Sequence, residues 1–303
     1  MANSIALAQK YINDPTNFNQ VYKAGAKTAD LEANEIKFLD AQTVKMPKYA
    51  FSVSAMGTYD RATGAPSADL VETWNTYTLS QDKGNTIQLD VMDDEETLNE
   101  GLVRRANEFT RQVIIPSIDT YRFGVLAKVP TPALTPTVVG AHIVTTTASV
   151  VGTAISNVDL AFQYLEEKEV SMEGLILYVT PAFRHLMQRS TDITKQFSVQ
   201  AVDGEVNTVV EYYNGAKIVT VPSARLGANI EFILVQPKSV GSTVKFNESR
   251  LVDLTATTDN KFGFAWKYRV YYDLFIAEGG AIQEGTTPNF VLVNPGIYVK
   301  KSS

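Results

Sequence analysis

The sequence predicts an α+β fold built from a long β-hairpin, a long helix and an inserted α/β region. Two runs of alternating apolar residues, 48–61 and 69–91, predict the hairpin. Apolar residues at spacings of three and four over 94–128 predict the helix. Strand-to-helix patterns between residues 151 and 261 predict the insertion. With 303 residues, 45% of them hydrophobic, the chain is expected to form one large or two intertwined domains.

Composition excludes several classes of function. Charged residues make up only 20% of the chain and its net charge is -6, which disfavours a protein that grips phosphate backbones through a basic surface. Because there is no cysteine, disulfides and thiolate chemistry are excluded. The N-terminus lacks the features of a signal peptide, and the uncharged run 138–155 is rich in Thr, Ser and Val. We therefore expect a soluble protein without a membrane partner.

Residues 1–45 are polar and show little periodicity, which predicts an extended arm with room for a short helix. Such a segment buries too little apolar surface to offset the entropy that it loses on ordering. We therefore expect it to settle on a neighbouring surface. A disordered terminus is the alternative.

The predicted hairpin occupies residues 46–91, with a stretch of Gly, Ala, Pro and Ser between its strands. Alternation in the second strand predicts two faces, one with Trp74, Thr76, Thr78 and Ser80 and the other with Tyr77 and Leu79. Neither face is uniformly apolar. Because a two-stranded ribbon without a sheet behind it is marginally stable, we expect the hairpin to lie on another subunit.

The long helix is predicted over 94–128, where four acids, Asp93 to Glu96, place negative charge at the favourable end of the helix dipole. A helix of this extent would span about 50 Å at about 1.5 Å per residue. Pro116 interrupts the hydrogen-bond ladder, so we expect a kink or a join between two helices. The predicted apolar stripe consists of Leu98, Leu102, Ala106, Phe109, Val113, Tyr121 and Val125.

A Pro-rich stretch at 130–136 marks the entry into the second region. Ser156 is the predicted N-cap of a helix, with Asp159 three residues later. The buried face of this helix is predicted to contain Val158, Ala161, Phe162 and Leu165.

A strand-to-helix unit and a hairpin follow in the same region. A buried strand at 175–179 leads into a helix with Thr180 as N-cap and Pro181 as its first residue. Farther on, Asn214-Gly215 between two β runs predicts a tight hairpin turn.

The run 265–277 alternates and predicts a long strand, with Lys267, Arg269 and Asp273 on its polar face. Its natural partner is the apolar stripe of the long helix. Residues 92–150 and 262–303 are therefore expected to form one domain, into which residues 151–261 are inserted. The buried face of the strand is predicted to contain Trp266, Tyr268, Val270, Tyr272, Leu274 and Ile276.

The sequence offers few residues for catalysis, and we expect no enzyme activity, catalytic residue, cofactor or metal. Of two histidines, His142 is interpreted as a strand residue and His185 as an exposed helix residue. GAKT at 25–28 is similar to the end of a phosphate-binding loop, but the upstream glycine and the preceding strand are missing, so we treat it as chance. An α/β enzyme with an unrecognised site is one alternative, and an adhesion module is another.

Two groups of residues are candidate inter-subunit contacts. The first is a charged face of the long helix, made of Glu100, Arg104, Arg105, Glu108 and Arg111. The second belongs to the hairpin and consists of Tyr59, Asp60, Arg61 and Trp74. Each group is either an ordinary solvated surface or a set of contacts with a neighbouring subunit, and both interpretations stay open.

Several stretches of the sequence bear a more specific resemblance. TYTLSQDKGNTIQLDVMDDEETLN followed by FTRQVIIPSIDTYRFGVLA is similar to the hairpin end and helix start in capsid proteins of phages of Gram-positive hosts. LILYVTPAFRHLM, YNGAKIVTVPSARL, EFILVQPKSV and WKYRVYYDLFI are similar to strands and helices of their axial and peripheral domains. Over essentially its whole length, the chain resembles the Hong Kong 97 type major capsid proteins of tailed bacteriophages.

The resemblance implies a Hong Kong 97-like fold with four parts: an N-terminal arm (1–45), an extended E-loop hairpin (46–91), a peripheral domain (92–150 and 262–303) and an axial domain (151–261). It also implies that pentamers and hexamers form an icosahedral shell around double-stranded DNA, which an acidic subunit would hold without tight binding. The implied location is the virion, after assembly in the host cytoplasm.

The implied partners are other copies of the chain, a scaffolding protein, a portal protein and a decoration protein. No long helical segment precedes the arm, so we expect the scaffolding protein to be separate and this subunit to be uncleaved. The stretch 279–303 adds a strand beyond the usual ending of the family. An encapsulin-like nanocompartment shell, which shares the fold, is the nearest alternative function.

Overall fold

The computed structural model describes most of the chain after residue 24. Several predicted features lie outside the described residues, namely the acids 93–96, Leu98, Glu100, Leu102, Arg104 and Arg105. The described ranges are 25–32, 37–38, 43–51, 58–62, 64, 70–91, 106, 108–131, 139–190, 201–202, 205–206, 212–254, 262–285 and 290–303.

The described elements are mainly strands, with helices concentrated in the middle of the chain. The strands are β1 (Lys37–Phe38), β2 (Thr43–Phe51), β3 (Leu70–Thr78), β4 (Gln81–Asp90), β5 (Val139–Thr146), β6 (Ile176–Val179), β7 (Ala201–Val202), β8 (Glu205–Val206), β9 (Tyr212–Tyr213), β10 (Ala216–Thr220), β11 (Ile230–Val235), β12 (Val240–Asp253), β13 (Gly263–Ile276), β14 (Ile282–Glu284) and β15 (Val291–Ser302). The α-helices are α1 (Ile115–Leu126), α2 (Ala154–Glu167), α3 (Pro181–Arg189) and α4 (Ser223–Leu226). A π-helical turn, Thr110–Ile114, follows the helical residues 108–109 and leads directly into α1. Residues 108–126 together are named the long helix.

Strands β2 and β3 form a ribbon, with β1 added at its base. They pair antiparallel from Thr43 opposite Thr78 to Phe51 opposite Leu70, which gives the ribbon a length of about 30 Å. The predicted hairpin is confirmed over these residues. Its second run is not one strand, however: it divides after Thr78, and β4 joins a different sheet. The chain changes direction at Ser80, whose N–H donates to a carboxylate oxygen of Asp273 (2.7 Å).

The second sheet contains β12, β13 and β4, with β13 in the middle. The predicted alternation of β13 is confirmed, because Trp266 and every second residue up to Ile276 are buried on one face. Lys267 and Arg269 are exposed on the other. Asp273 is an exception, since it lies on the predicted polar face but is only 4% exposed. Its Oδ1 accepts a hydrogen bond from the hydroxyl of Tyr121 (2.8 Å) on the long helix.

The long helix packs on the buried face of β13, as predicted. Ile114, Ile115 and Ile118 form one cluster with the aromatic residues of that face, and Phe109 contacts Trp266 edge to face at 6.3 Å between ring centroids. The π turn ends immediately before α1, whose second residue is Pro116. The predicted interruption at Pro116 therefore takes the form of a wide helical turn, which accommodates the missing N–H.

The π turn also displaces the predicted apolar stripe after Phe109, most clearly at Val113. Val113 is 43% exposed, whereas Ile114 is 7% exposed. Because a π turn contains one residue more than an α-helical turn needs, every later position on the buried face is shifted by one. Arg122 and Leu126 are therefore fully buried, whereas the predicted Tyr121 and Val125 are only partly buried and pack against the edges of the apolar clusters.

The largest sheet has seven strands in the order β14-β15-β11-β6-β10-β9, and β5 pairs with β15 off this path. Strands β6 and β10 are parallel, as are β15 and β5, whereas β11 is antiparallel to both β6 and β15. This sheet crosses the predicted limits of the inserted region, residues 151–261, because β5, β14 and β15 lie outside them. Conversely, β12 lies inside those limits but belongs to the other sheet.

Helices α2 and α3 pack on the seven-stranded sheet. The predicted buried face of α2 is confirmed, but α2 begins at Ala154 and Ser156 is not its N-cap. A turn closes first, in which Thr153 Oγ1 accepts a hydrogen bond from the N–H of Val150 (3.1 Å). Asp159 makes no capping pair with Ser156 and instead accepts a hydrogen bond from the Tyr213 hydroxyl (2.6 Å).

The strand-to-helix unit at β6 and α3 is confirmed. Every residue of β6 is buried, and Pro181 is the first residue of α3. Thr180 Oγ1 accepts a hydrogen bond from the N–H of Phe183 (3.3 Å), which satisfies one free N–H of the first turn. The turn between β9 and β10 is also confirmed, with φ values of 46° for Asn214 and 82° for Gly215.

Candidate inter-subunit surfaces

The base of the ribbon is fixed to the end of β13. Val44 and Leu79 are buried in one cluster with Tyr271. The ring centroids of Tyr77 and Phe275 lie 4.8 Å apart, and burial raises the pKa of Tyr77. These contacts hold the ribbon against the body of the subunit.

The opposite face of the ribbon is exposed. Thr76 and Thr78 are open to solvent, and Trp74 retains 38% of its accessible surface. The predicted division of the second strand into two faces is therefore correct for these residues. Large aromatic side chains are enriched among residues that dominate binding energy at protein interfaces, so Trp74 stays a predicted contact.

A tight turn lies between the two strands of the ribbon and contains the other predicted contacts. The N–H of Asp60 donates to the carbonyl of Gly64 (3.1 Å), and the N–H of Gly64 donates back (2.8 Å). Asp60 Oδ1 also accepts a hydrogen bond from the N–H of Ala62 (2.7 Å), so this side chain stabilises the turn itself. Tyr59 and Arg61 are exposed, Tyr59 by 68%. The turn thus presents an aromatic and a cationic side chain.

Two of the predicted charged contacts on the long helix pair with each other within the chain. Arg111 Nη2 lies 3.3 Å from Glu108 Oε1, and the side chain of Gln112 also donates to Glu108. Both partners are largely exposed, so the pair stabilises the helix by less than about 1 kcal/mol. Arg104 and Arg105 lie outside the described residues. Pairing across subunits stays a prediction for this face.

A groove between the long helix and strands β4 and β13 is a further surface that the sequence analysis missed. Its volume is about 170 Å³, and its lining includes Phe109, Val113, Val270 and Tyr272. Lys83 also lines the groove. The sequence pattern placed Val113 on the buried stripe and gave no signal for this groove, because the exposure of Val113 follows from the π turn.

The outer face of the second sheet, opposite the long helix, carries an exposed ion pair. Arg269 donates from Nε and Nη2 to the two carboxylate oxygens of Asp82 (2.9 and 2.6 Å). The guanidinium also lies over the ring of Tyr271, 4.9 Å from its centroid. The hydrogen bonds from Arg269 lower the pKa of Asp82, and those to Asp82 raise the pKa of Arg269.

A buried charged network on the long helix has no counterpart among the sequence-based predictions. Asp119 and Arg122 are fully buried, as is Thr28 of the predicted arm. Thr28 Oγ1 donates to Asp119 Oδ1 (2.7 Å), and Arg122 Nη1 donates to Thr28 Oγ1 (3.0 Å). Thr28 is the last residue of GAKT, so this stretch has a structural role and its similarity to a phosphate-binding loop is accidental.

The two histidines lie in the predicted elements, His142 in β5 and His185 on the exposed side of α3. His142 Nδ1 is 3.0 Å from Glu284 Oε2, and the imidazole stacks on Tyr164 with 3.9 Å between ring centroids. The hydroxyl of Tyr164 donates to Glu284 Oε1 (2.6 Å). This cluster ties β14 to β5 and α2.

The described part of the chain contains neither a metal-binding cluster nor a membrane-spanning helix. Within it, no three His, Cys, Asp or Glu side chains are grouped so that they could hold a metal ion. No helix there is both long and apolar enough to cross a membrane.

Comparison with known proteins links this architecture to solved capsids. No family model and no curated protein matches the sequence. A chain of the bacteriophage PhiM1 mature capsid matches with a TM-score of 0.55 and 13% identity, over 87% of this chain and 82% of that one. A chain of the cyanophage P-SCSP1u capsid matches with a TM-score of 0.56 and 10% identity, over 88% and 85%.

A virus-like particle from Pyrococcus furiosus also matches, with a TM-score of 0.53 and 10% identity, over 96% of this chain and 98% of that one. At such identities, the shared feature is the fold. This chain has the Hong Kong 97 type capsid fold. In the capsid fold seen here, the exposed features are the outer face of the ribbon, the turn at Tyr59 and the groove beside the long helix.

Proposed function

We propose that this chain is the major capsid protein of a tailed bacteriophage and that it acts by self-assembly, without catalysis. The observation that supports this most strongly is the likeness of its fold to subunits of the PhiM1 and P-SCSP1u capsids, over at least 82% of each chain. In this proposal, pentamers and hexamers of the chain form an icosahedral shell that encloses double-stranded DNA.

The parts of the subunit divide this work. The ribbon of β2 and β3 is the E-loop, and because β2 begins at Thr43, the arm is residues 1–42 and not the predicted 1–45. The long helix with β4, β12 and β13 forms the peripheral domain. The axial domain consists of the seven-stranded sheet with α2 and α3. Its residues are assigned by strand pairing and not by the predicted limits 151–261.

The proposed shell is held by many modest contacts. Trp74 and Tyr59 supply aromatic area on the ribbon, and each ribbon would reach a neighbouring subunit. Because every subunit makes several such contacts at once, weak interfaces add up to a stable shell. The net charge of -6 suits a container that must release its DNA, since it provides little attraction for phosphates.

The proposed partners follow from this role. They are other copies of the chain, a separate scaffolding protein, a portal protein, a decoration protein and the packaged DNA, which is bound without sequence preference. The proposed location is the virion, after assembly in the host cytoplasm.

A nanocompartment shell similar to encapsulins is the second candidate function. The match to the virus-like particle from Pyrococcus furiosus, which covers 96% of this chain, favours it. The contents of purified particles separate the two candidates. Phage heads would contain nuclease-protected DNA of uniform length, whereas a nanocompartment would contain a cargo protein.

Removal of the tip of the ribbon, which contains Tyr59 and Arg61, tests whether neighbouring subunits need that tip. Residues 52–69 are replaced by Asn-Gly, which joins the paired residues Phe51 and Leu70 through a two-residue turn. Since Val44, Tyr77 and Leu79 keep their contacts at the base, the subunit should fold with an unchanged thermal midpoint but form no closed shells. Circular dichroism and sedimentation of assembly reactions measure both results. Shells at the normal yield, or an unfolded subunit, would contradict the proposed role of the ribbon.

A further inference from the structure

Residues 25–32, named the clasp, lie where three parts of the subunit meet. Leu31 is fully buried in a cluster that joins Phe123 of the long helix to Tyr178 of the seven-stranded sheet and Leu274 of the second sheet. Gly25 lies against Ile115, because a Cβ at this position would come within 2.9 Å of the Ile115 side chain. The clasp is therefore packed at both of its ends.

Polar contacts fix the middle of the clasp to the long helix. The carboxylate of Asp119 accepts hydrogen bonds from the N–H groups of Lys27 (3.1 Å) and Thr28 (3.3 Å) and from the Thr28 hydroxyl (2.7 Å). On the next turn, Arg122 donates to Thr28 Oγ1 (3.0 Å) and pairs with Glu32 (3.4 Å). Two buried charges of the helix are thus satisfied largely by the clasp.

Other contacts connect the clasp to the two sheets. Asp30 pairs with Lys217 of β10 in the seven-stranded sheet (2.6 Å). Glu32 forms a parallel backbone bridge with Ser242 of β12 in the second sheet. In addition, Arg225 of α4, the helix that follows β10, lies 3.6 Å from Asp119, so α4 also reaches the centre of the network.

We propose that the clasp is a conformational device that locks the long helix against both sheets. Asp119 and Arg122 have no access to water, so releasing the clasp removes hydrogen bonds that compensate both buried charges and takes away contacts that hold the helix in position. Clasp docking and helix orientation are therefore linked. The device extends the proposed function: a neighbouring subunit that displaces the clasp acts on the orientation of the helix.

Hydrogen exchange on the unassembled full-length Thr28→Val variant tests this linkage. The substitution keeps the β-branched shape but removes the hydroxyl that bridges Asp119 and Arg122. Loss of a hydrogen bond to a charged group should increase local opening about tenfold or more. We expect faster exchange in the clasp, in α1 and in α4 together, and no change in α2 and α3.

A matched control is Thr120→Val. Thr120 lies on the exposed side of the same helix, and its hydroxyl donates to the carbonyl of Pro116 one turn earlier. It should leave exchange in the clasp and α4 unchanged. Faster exchange confined to residues 25–32 in the Thr28→Val variant would overturn the proposal, because the clasp would then be a passive tail. Hydrogen exchange is measured on the unassembled subunit, so this result is independent of the proposed capsid function.

Discussion

Tyr164 of α2 joins three elements, because its hydroxyl donates to Glu284 of β14 and its ring stacks on His142 of β5, and its environment makes the fold sensitive to alkaline pH. Burial raises the pKa of Tyr164 far above its usual value, and the hydrogen bond to Glu284 raises it further. A tyrosine with a raised folded-state pKa supports folding fully below the unfolded-state pKa of about 10 and loses that contribution as pH rises. The same direction applies to Tyr77, Tyr121, Tyr272 and Tyr298, whose pKa values are raised mainly by burial.

The Tyr164→Phe variant should therefore show a shallower loss of stability above about pH 10 than the natural chain. The slope should change by less than about 1.4 kcal/mol per pH unit, the value for one full proton, because the side chain is partly solvated. Urea unfolding between pH 8 and pH 12 measures this, with Tyr212→Phe as an exposed control. An equal slope for the natural chain and Tyr164→Phe would show that Tyr164 does not titrate differently on folding.

Single residues also mark where sequence reasoning ends. The alternation in β13 predicts which side chains are buried, since a strand has only two faces. It fails at Asp273, whose partners Tyr121 and Ser80 are distant in sequence. Asp119 of the long helix is a second example, because its buried position depends on Lys27 and Thr28 of the clasp, which are distant in sequence. The partner of a buried polar group is a property of the tertiary fold.

At the scale of elements, local signals predict units that their own residues stabilise. Thr180 and Pro181 predict the start of α3, and Asn214-Gly215 predicts a turn, because the required hydrogen bonds and φ values lie within a few residues. The π turn has no such signal apart from Pro116. Pairing between β5 and β15 also has none, since strand partners that are far apart in sequence depend on the whole fold.

Strand β15 shows how much depends on such distant pairing. It pairs with β14, β11 and β5 along different parts of its length. Its residues Val293, Ile297 and Val299 are almost completely buried. At about 1.5 to 3 kcal/mol for each buried side chain, these residues account for much of a typical stability of about 5 to 15 kcal/mol. A chain ending at residue 290 should therefore fail to fold, as circular dichroism and size-exclusion chromatography would show.

A chain ending at Lys301 is the matched control for this truncation. It loses the hydrogen bonds from the N–H groups of Ser302 to Asn229 and of Ser303 to Thr146, but it keeps the buried residues of β15. Its thermal midpoint should stay within a few degrees of that of the natural chain. A folded, monomeric product from the chain ending at 290 would show that β15 is an accessory strand.

For the whole molecule, the order of elements was more informative than any single motif. An arm, a ribbon, a long helix, an α/β region and a closing strand together predict the capsid fold, and solved capsids share that fold. The candidate contacts are less predictable, because Trp74 and Tyr59 are exposed in the single chain and only a neighbour would reveal their use. The surface of one subunit contains the contact residues but not their pairing.

Electron microscopy of the purified full-length protein, with and without a co-expressed scaffolding protein, tests the central claim most directly. The account predicts closed shells or rings of five and six subunits, in which the ribbon of each subunit lies on a neighbour and Trp74 is covered. A protein that stays monomeric under all assembly conditions, with Trp74 accessible to solvent throughout, would contradict it.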